Sequence, residues 1–82
     1  MSHEVGIRVR LTFPNSLVKT PAIARMVKDF DVVADIRRAE IEETGGWLIC
    51  ELEGESDRIE AAYAWLRSEG IQVDLLGDML ES

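Results

Sequence analysis

The chain has 82 residues, a length that fits one domain. A domain this small buries only about 60–65% of its unfolded surface, so its core is thin and association with another copy would help it. Apolar residues make up 46% and charged residues 30%, a globular balance rather than a disordered one, and the net charge of -7 repels phosphate backbones and anionic membranes, which argues against nucleic acid as a partner.

Cys50 is the single cysteine, so no intrachain disulfide framework exists, which fits a reducing compartment. The N-terminus has no apolar segment like a signal peptide, and no stretch approaches the roughly 18 apolar residues of a membrane helix. The expectation is a cytoplasmic protein that does not insert into membranes.

Val5 to Phe13 reads VGIRVRLTF. Val5, Ile7, Val9, Leu11 and Phe13 share one parity and Gly6, Arg8, Arg10 and Thr12 the other, so this is a strand with one buried and one wet face. Pro14-Asn15-Ser16 ends it with turn chemistry. Thr20 as cap and Pro21 at the first helical position open a helix, whose stripe is Ile23, Met26, Val27 and Phe30. Val32 to Glu43 reads as a second strand with broken parity: Ile36 and Ile41 face one side together only if a β-bulge lies between them. Gly45-Gly46 reads as a hairpin turn, and Trp47 to Glu53 as the third strand, with Leu48, Cys50 and Leu52 on one side and Trp47, Ile49 and Glu51 on the other. Ser56 is the expected cap of a second helix, striped by Ile59, Ala62, Tyr63 and Leu66 and stopped at Gly70. Ile71 to Leu76 alternates again, with Ile71, Val73 and Leu75 inward.

The order β-α-β-β-α-β gives an α+β, ferredoxin-like fold: a four-stranded antiparallel sheet with both helices on one face and the other face open. Residues 1–82 form one domain, with 77–82 as a frayed tail. The expected core sets Val9, Leu11, Leu48, Leu52 and Val73 against Ile23, Val27, Ile59, Tyr63 and Leu66.

No catalytic residues are expected. His3 is the one histidine and has no positioned partner, so no Ser/His/Asp set can be assembled. One Cys and one terminal His cannot close a zinc site, and no phosphate-cradling glycine motif is present, so neither metal nor cofactor is expected. Cys50, between Leu48 and Leu52 in parity, reads as a small buried hydrophobe. Glu40, Glu42, Glu43, Glu51, Glu53 and Glu55 surround the hairpin as a solubilising rim. The open face is more informative. Arg8, Arg10, Trp47, Ile49, Asp35 and Arg37 project there, and large apolar groups flanked by charge mark either a partner or ligand surface or a Trp covered by the chain's own Arg stems. Arg8, Arg10, Trp47 and Ile49 are the expected interface of a homodimer.

Several stretches resemble the NIL domain family: the opening strand "RLTFP", then "DIRRAEIEE", the hairpin and third strand "GGWLICELEGE", and "IEAAYAWLRSEGIQVDLL" at the end. The resemblance covers Val5 to Leu76. It implies an ACT-like module, found at the C-terminus of methionine importer ATPases and as standalone proteins, that dimerises and in the importers senses methionine between subunits. Asp35, Ile36 and Arg37 stand where the family has its Asn, Ile and Leu, so the donor of Asn is replaced by an acceptor-only carboxylate.

The expectation that follows is a small ligand-binding regulatory module for methionine or a related sulfur amino acid at a dimer interface, and not an enzyme. Phe13 and Asn15 offer the turn before the first helix, Asp35 accepts from an ammonium group, Arg37 or Arg38 pairs with a carboxylate, and Ile36 walls a thioether. The alternative is an interaction or assembly domain in sulfur amino acid metabolism that docks a separate protein and binds no small molecule.

Overall fold

The computed structural model describes residues 4–14, 22–42 and 45–78. Six elements follow in the expected order: β1 (Glu4–Pro14), α1 (Ala22–Phe30), β2 (Val33–Glu42), β3 (Gly45–Glu55), α2 (Ser56–Ser68) and β4 (Gln72–Asp78). The strands form one sheet in the order β2-β3-β1-β4, and every neighbouring pair is antiparallel. This is the ferredoxin-like arrangement, in which each crossover skips one strand and lays its helix on the same sheet face.

Register explains which side chains meet the helices. Val9 lies opposite Cys50, Leu11 opposite Leu48 and Ile7 opposite Leu52. All but Ile7 are buried, together with Met26, Ile59, Ala62, Leu66 and Val73, in one core between sheet and helices. The α2 stripe of Ile59, Ala62, Tyr63 and Leu66 is buried as its spacing demands. Helix α1 is rotated from expectation: Ala22 and Met26 face the core, Ile23 is half-buried, and Val27 is 36% exposed. Apolar residues cover more of this helix than one stripe, so spacing alone did not choose the inward face. Phe30 packs on Trp65 at the core rim, ring centroids 5.9 Å apart.

Helix α2 ends in a Schellman motif. Gly70 takes φ 89°, its N–H donates to the Arg67 carbonyl, and the Ile71 N–H donates to the Leu66 carbonyl. At its start the N-cap is Glu55, in extended conformation with no side-chain cap bond, so Ser56 is the first helical residue rather than the cap. The expected Thr20-Pro21 helix start lies outside the described residues.

Two features of the sheet depart from simple alternation. The expected bulge in β2 is present: Ile36 lies opposite Cys50 and Arg38 opposite Ile49, leaving Arg37 as the extra residue. Gly45 and Gly46 are not the hairpin turn but the first residues of β3, opposite Glu42 and Ile41. Gly46 is needed there because a Cβ would sit 2.4 Å from the backbone oxygen of Glu40. A second irregularity lies between β1 and β4, where Arg8 pairs with Gly77 but Val9 with Leu75, so that Leu76 is unopposed. Leu75, expected inward, is 56% exposed. Strand β4 continues through Gly77 and Asp78, which the sequence reading assigned to the tail.

Candidate functional site

The sheet face away from the helices carries a groove of about 520 Å³ that crosses all four strands. It is lined by Leu76 of β4, Arg8 of β1, Ile49 of β3, and Arg37 and Arg38 of β2. Alternation puts Arg8 and Ile49 there, since their neighbours Val9 and Cys50 face the core. The same alternation puts Leu76 there, next to Leu75, which pairs with core-facing Val9, and the β2 bulge brings consecutive Arg37 and Arg38 to the same groove.

Two arginines, Arg8 and Arg37, meet two carboxylates on this face. An Arg8 Nη atom donates to Glu51 Oε2 at 2.8 Å, and Glu51 is mostly covered, with 13% of its side chain exposed. Arg37 donates from Nη1 to Asp35 Oδ2 at 3.1 Å and approaches Glu51 with Nε at 3.9 Å. Arg38 has no carboxylate partner among the described residues. Arg38 thus stands in the groove with no ion pair among the described residues, beside two aliphatic side chains. That combination suits a ligand with a carboxylate and an apolar tail, since Arg binds carboxylates through charge-assisted hydrogen bonds in a fixed fork.

The other expected site residues divide between the faces. Asp35 and Arg37 lie on the open side. Phe13 is buried toward the helices opposite Gly46, and Ile36 faces the helix side, 50% exposed beyond their cover. Asn15 lies outside the described residues. Of the expected interface, Trp47 is half-buried beneath the Arg10 guanidinium, whose Cζ stands 4.9 Å from the ring centroid. The chain's own arginine thus covers part of that apolar surface. Leu76 is a groove residue that the sequence analysis does not name, although alternation with Ile71, Val73 and Leu75 inward places it on the open side.

Cys50 sits behind the groove, on the core side of β3, and is fully buried. Burial first, then the negative charges of Asp35 and Glu51, push its thiol from 9.0 to about 11. It stays protonated near neutral pH, which leaves it a packing group and not a nucleophile. Among the described residues no group of three or more His, Cys, Asp or Glu is placed to hold a metal ion, and no helix is long and apolar enough to cross a membrane.

Comparison with known proteins agrees with this architecture. The family model of the NIL domain matches residues 7–74. The methionine import ATP-binding protein MetN of Chromohalobacter salexigens is 37% identical over 73 residues, which cover 84% of this chain and 21% of that protein. The protein of the same name from Myxococcus xanthus is 30% identical over 73 residues, again 84% of this chain and 22% of the relative. The chain thus spans about a fifth of the length of these curated relatives. The crystal structure of the C-terminal domain of an ABC transporter ATP-binding protein from Enterococcus faecalis superposes with a TM-score of 0.79 at 30% identity, covering 88% of this chain and 84% of that one. A de novo designed protein with a TM-score of 0.60 and 11% identity shares the fold alone.

Proposed function

The chain belongs to the NIL domain family, and we propose that it is a non-catalytic regulatory module that binds methionine or a related sulfur amino acid, with two copies of the domain associating around the ligand. The observation that carries this reading is the groove. Arg38, without a carboxylate partner among the described residues, receives the ligand carboxylate. Ile49 and Leu76 receive the thioether chain, a soft group that packs well on aliphatic surface. Asp35, with Oδ2 engaged by Arg37, keeps its other oxygen for the ammonium group. The relatives are named as methionine import ATP-binding proteins, which supports a sulfur amino acid over other apolar ones. The same relatives support transporter components as the setting in which such a module acts.

A second reading has its own observation. Trp47 and Ile49 lie on a sheet face that neither described helix covers, and such a face also suits a docked protein. Thermal shift and calorimetry with L-methionine, homocysteine and cysteine separate the two. Ligand at about 100 times its dissociation constant stabilises the fold by roughly 2.7 kcal/mol. In a domain of this size each kcal/mol moves Tm by about 4–8 °C. A clear rise with L-methionine, and a much smaller one with D-methionine or alanine, supports sensing. No stereoselective effect at several millimolar leaves the docking reading in its place.

A further inference from the structure

We propose that the tail of the ligand carries a second anionic group, received by Arg8, so that the groove prefers a sulfur amino acid ending in a carboxylate or similar oxyanion to methionine itself. This rests on the reading of the groove as an amino acid site and names the class of ligand it takes. The lining sets three arginines, Arg8, Arg37 and Arg38, against two aliphatic side chains, Ile49 and Leu76. A ligand with one carboxylate and an apolar tail needs one arginine, and Arg38 meets that need. Arg37 is engaged at the same end, with Nη1 on Asp35 and Nε toward Glu51. Arg8 has no part in that binding mode.

The strand register gives Arg8 its place. Arg38 of β2 lies opposite Ile49 of β3, and Ile49 opposite Arg10 of β1. Arg8 shares the open face of β1 with Arg10, one alternation away, and on the β4 side it pairs with Gly77, next to Leu76. A ligand held by its carboxylate at Arg38 and laid over Ile49 therefore runs across the strands toward β1 and meets Arg8 beside Leu76. Neighbouring strands are roughly 4.8 Å apart, so about 10 Å separates the backbones of β2 and β1. The groove volume of about 520 Å³ lies within the usual range of small-molecule sites, so a methionine-like side chain extended by one charged group fits its size.

Arg8 is prepared to receive an anion. One Nη atom donates to Glu51 Oε2 at 2.8 Å, and the Glu51 side chain is 13% exposed where that of Arg8 is 51% exposed. A covered carboxylate thus anchors a guanidinium that still reaches solvent. Arg has five N–H donors in a rigid fork, so donors remain for a ligand beyond the bond to Glu51. A side chain already anchored also loses less freedom on binding. Glu51 is the one carboxylate partner of Arg8 among the described residues, and Arg37 approaches the same group. Arg10, the neighbouring candidate, is turned over the Trp47 ring at 4.9 Å and does not line the groove. Ile49 and Leu76 still pack the methylene and thioether atoms between the two charged ends. If Arg8 served Glu51 alone, charge in the ligand tail would bring no gain.

Calorimetry on the native chain with three ligands tests this. S-carboxymethyl-L-cysteine keeps a thioether and ends in a carboxylate, S-carbamoylmethyl-L-cysteine has the same shape with a neutral amide end, and L-methionine is the reference. The acid is expected to bind on the order of tenfold more tightly than the amide, the gap between a charge-assisted and a neutral hydrogen bond. It should also bind more tightly than methionine, and the gap should narrow as salt is raised. In Arg8→Gln the preference for acid over amide should disappear. Melting curves check that this variant folds. If it does not, the Arg8 Nε–H resonance of the native chain decides, since the acid should move it and the amide should not. An acid that binds no tighter than the amide, or a preference that survives in Arg8→Gln, overturns the proposal, and methionine binding in the same experiment then leaves the sensing function standing. Binding of none of the three overturns both.

Discussion

Arg37 reaches back along its own strand to Asp35, Nη1 to Oδ2 at 3.1 Å, with both side chains more than half exposed. An exposed pair of this kind adds little to stability. On the proposed binding mode Asp35 receives the ligand ammonium, at the position where the family pattern has an Asn. Asp35→Asn should therefore change folding stability by no more than about 0.5 kcal/mol. It removes the acceptor charge for the ligand ammonium, so affinity for L-methionine should fall on the order of tenfold, the scale of a charged hydrogen bond. Calorimetry on the folded variant checks this, and unchanged affinity takes Asp35 out of the site.

Leu52 is fully buried beneath the helices and is paired with Ile7 and Ala34 of the two flanking strands. Leu52→Ala should destabilise by about 2–5 kcal/mol, the range for a buried leucine whose cavity cannot collapse. A urea midpoint equal to that of the native chain would contradict this core.

Gly46 shows how a local signal can be right in kind and wrong in place. A double glycine in sequence suggests turn chemistry, whereas Gly46 lets β2 and β3 approach, and only the neighbouring strand reveals that. Gly46→Ala brings a methyl against the backbone of Glu40 and Ile41, which cannot swing aside like a side chain. Destabilisation of about 1–3 kcal/mol is expected, with amide exchange raised first along β2. An alanine variant as stable as the native chain would mean that the strands separate freely there.

Strict alternation made β1 and the body of β3 legible, and the 3, 4, 7 spacing did the same for the buried face of α2. Helix α1 was less legible because Ala22, which is buried, and Val27, which is exposed, are both apolar, and only packing against the sheet separates them. The charged members of the open face were readable by parity. The groove was not, because Arg38 reaches the open face only through the β2 bulge, and a bulge is settled by pairing between strands distant in sequence. In β2 the conflict between Ile36 and Ile41 announced its bulge, whereas in β4 only Gly77 marked an irregularity.

Cys50 gives a pH dependence with a definite sign. Its folded value of about 11 lies above the ordinary 9.0, so the folded chain holds this proton more tightly than the unfolded one. The associated stability is fully present below pH 9 and is lost as pH rises toward 11. Denaturation midpoints should fall across that window and fall less in Cys50→Ala, compared with each protein's own value at pH 7. Labelling by a thiol reagent at pH 7 should be slow in the native chain and fast in denaturant. Rapid native labelling would contradict the burial of Cys50.

The central claim is that the open-face groove binds a sulfur amino acid, and an amide-resolved NMR titration of the isotope-labelled 82-residue chain with L-methionine tests it most directly. Saturable shifts are expected at Arg8, Asp35, Arg37, Arg38, Ile49 and Leu76, with Ala62 and Leu66 of α2 unmoved, and far weaker shifts with D-methionine. Spectra unchanged at several millimolar L-methionine, or shifts confined to the helical face, would contradict it.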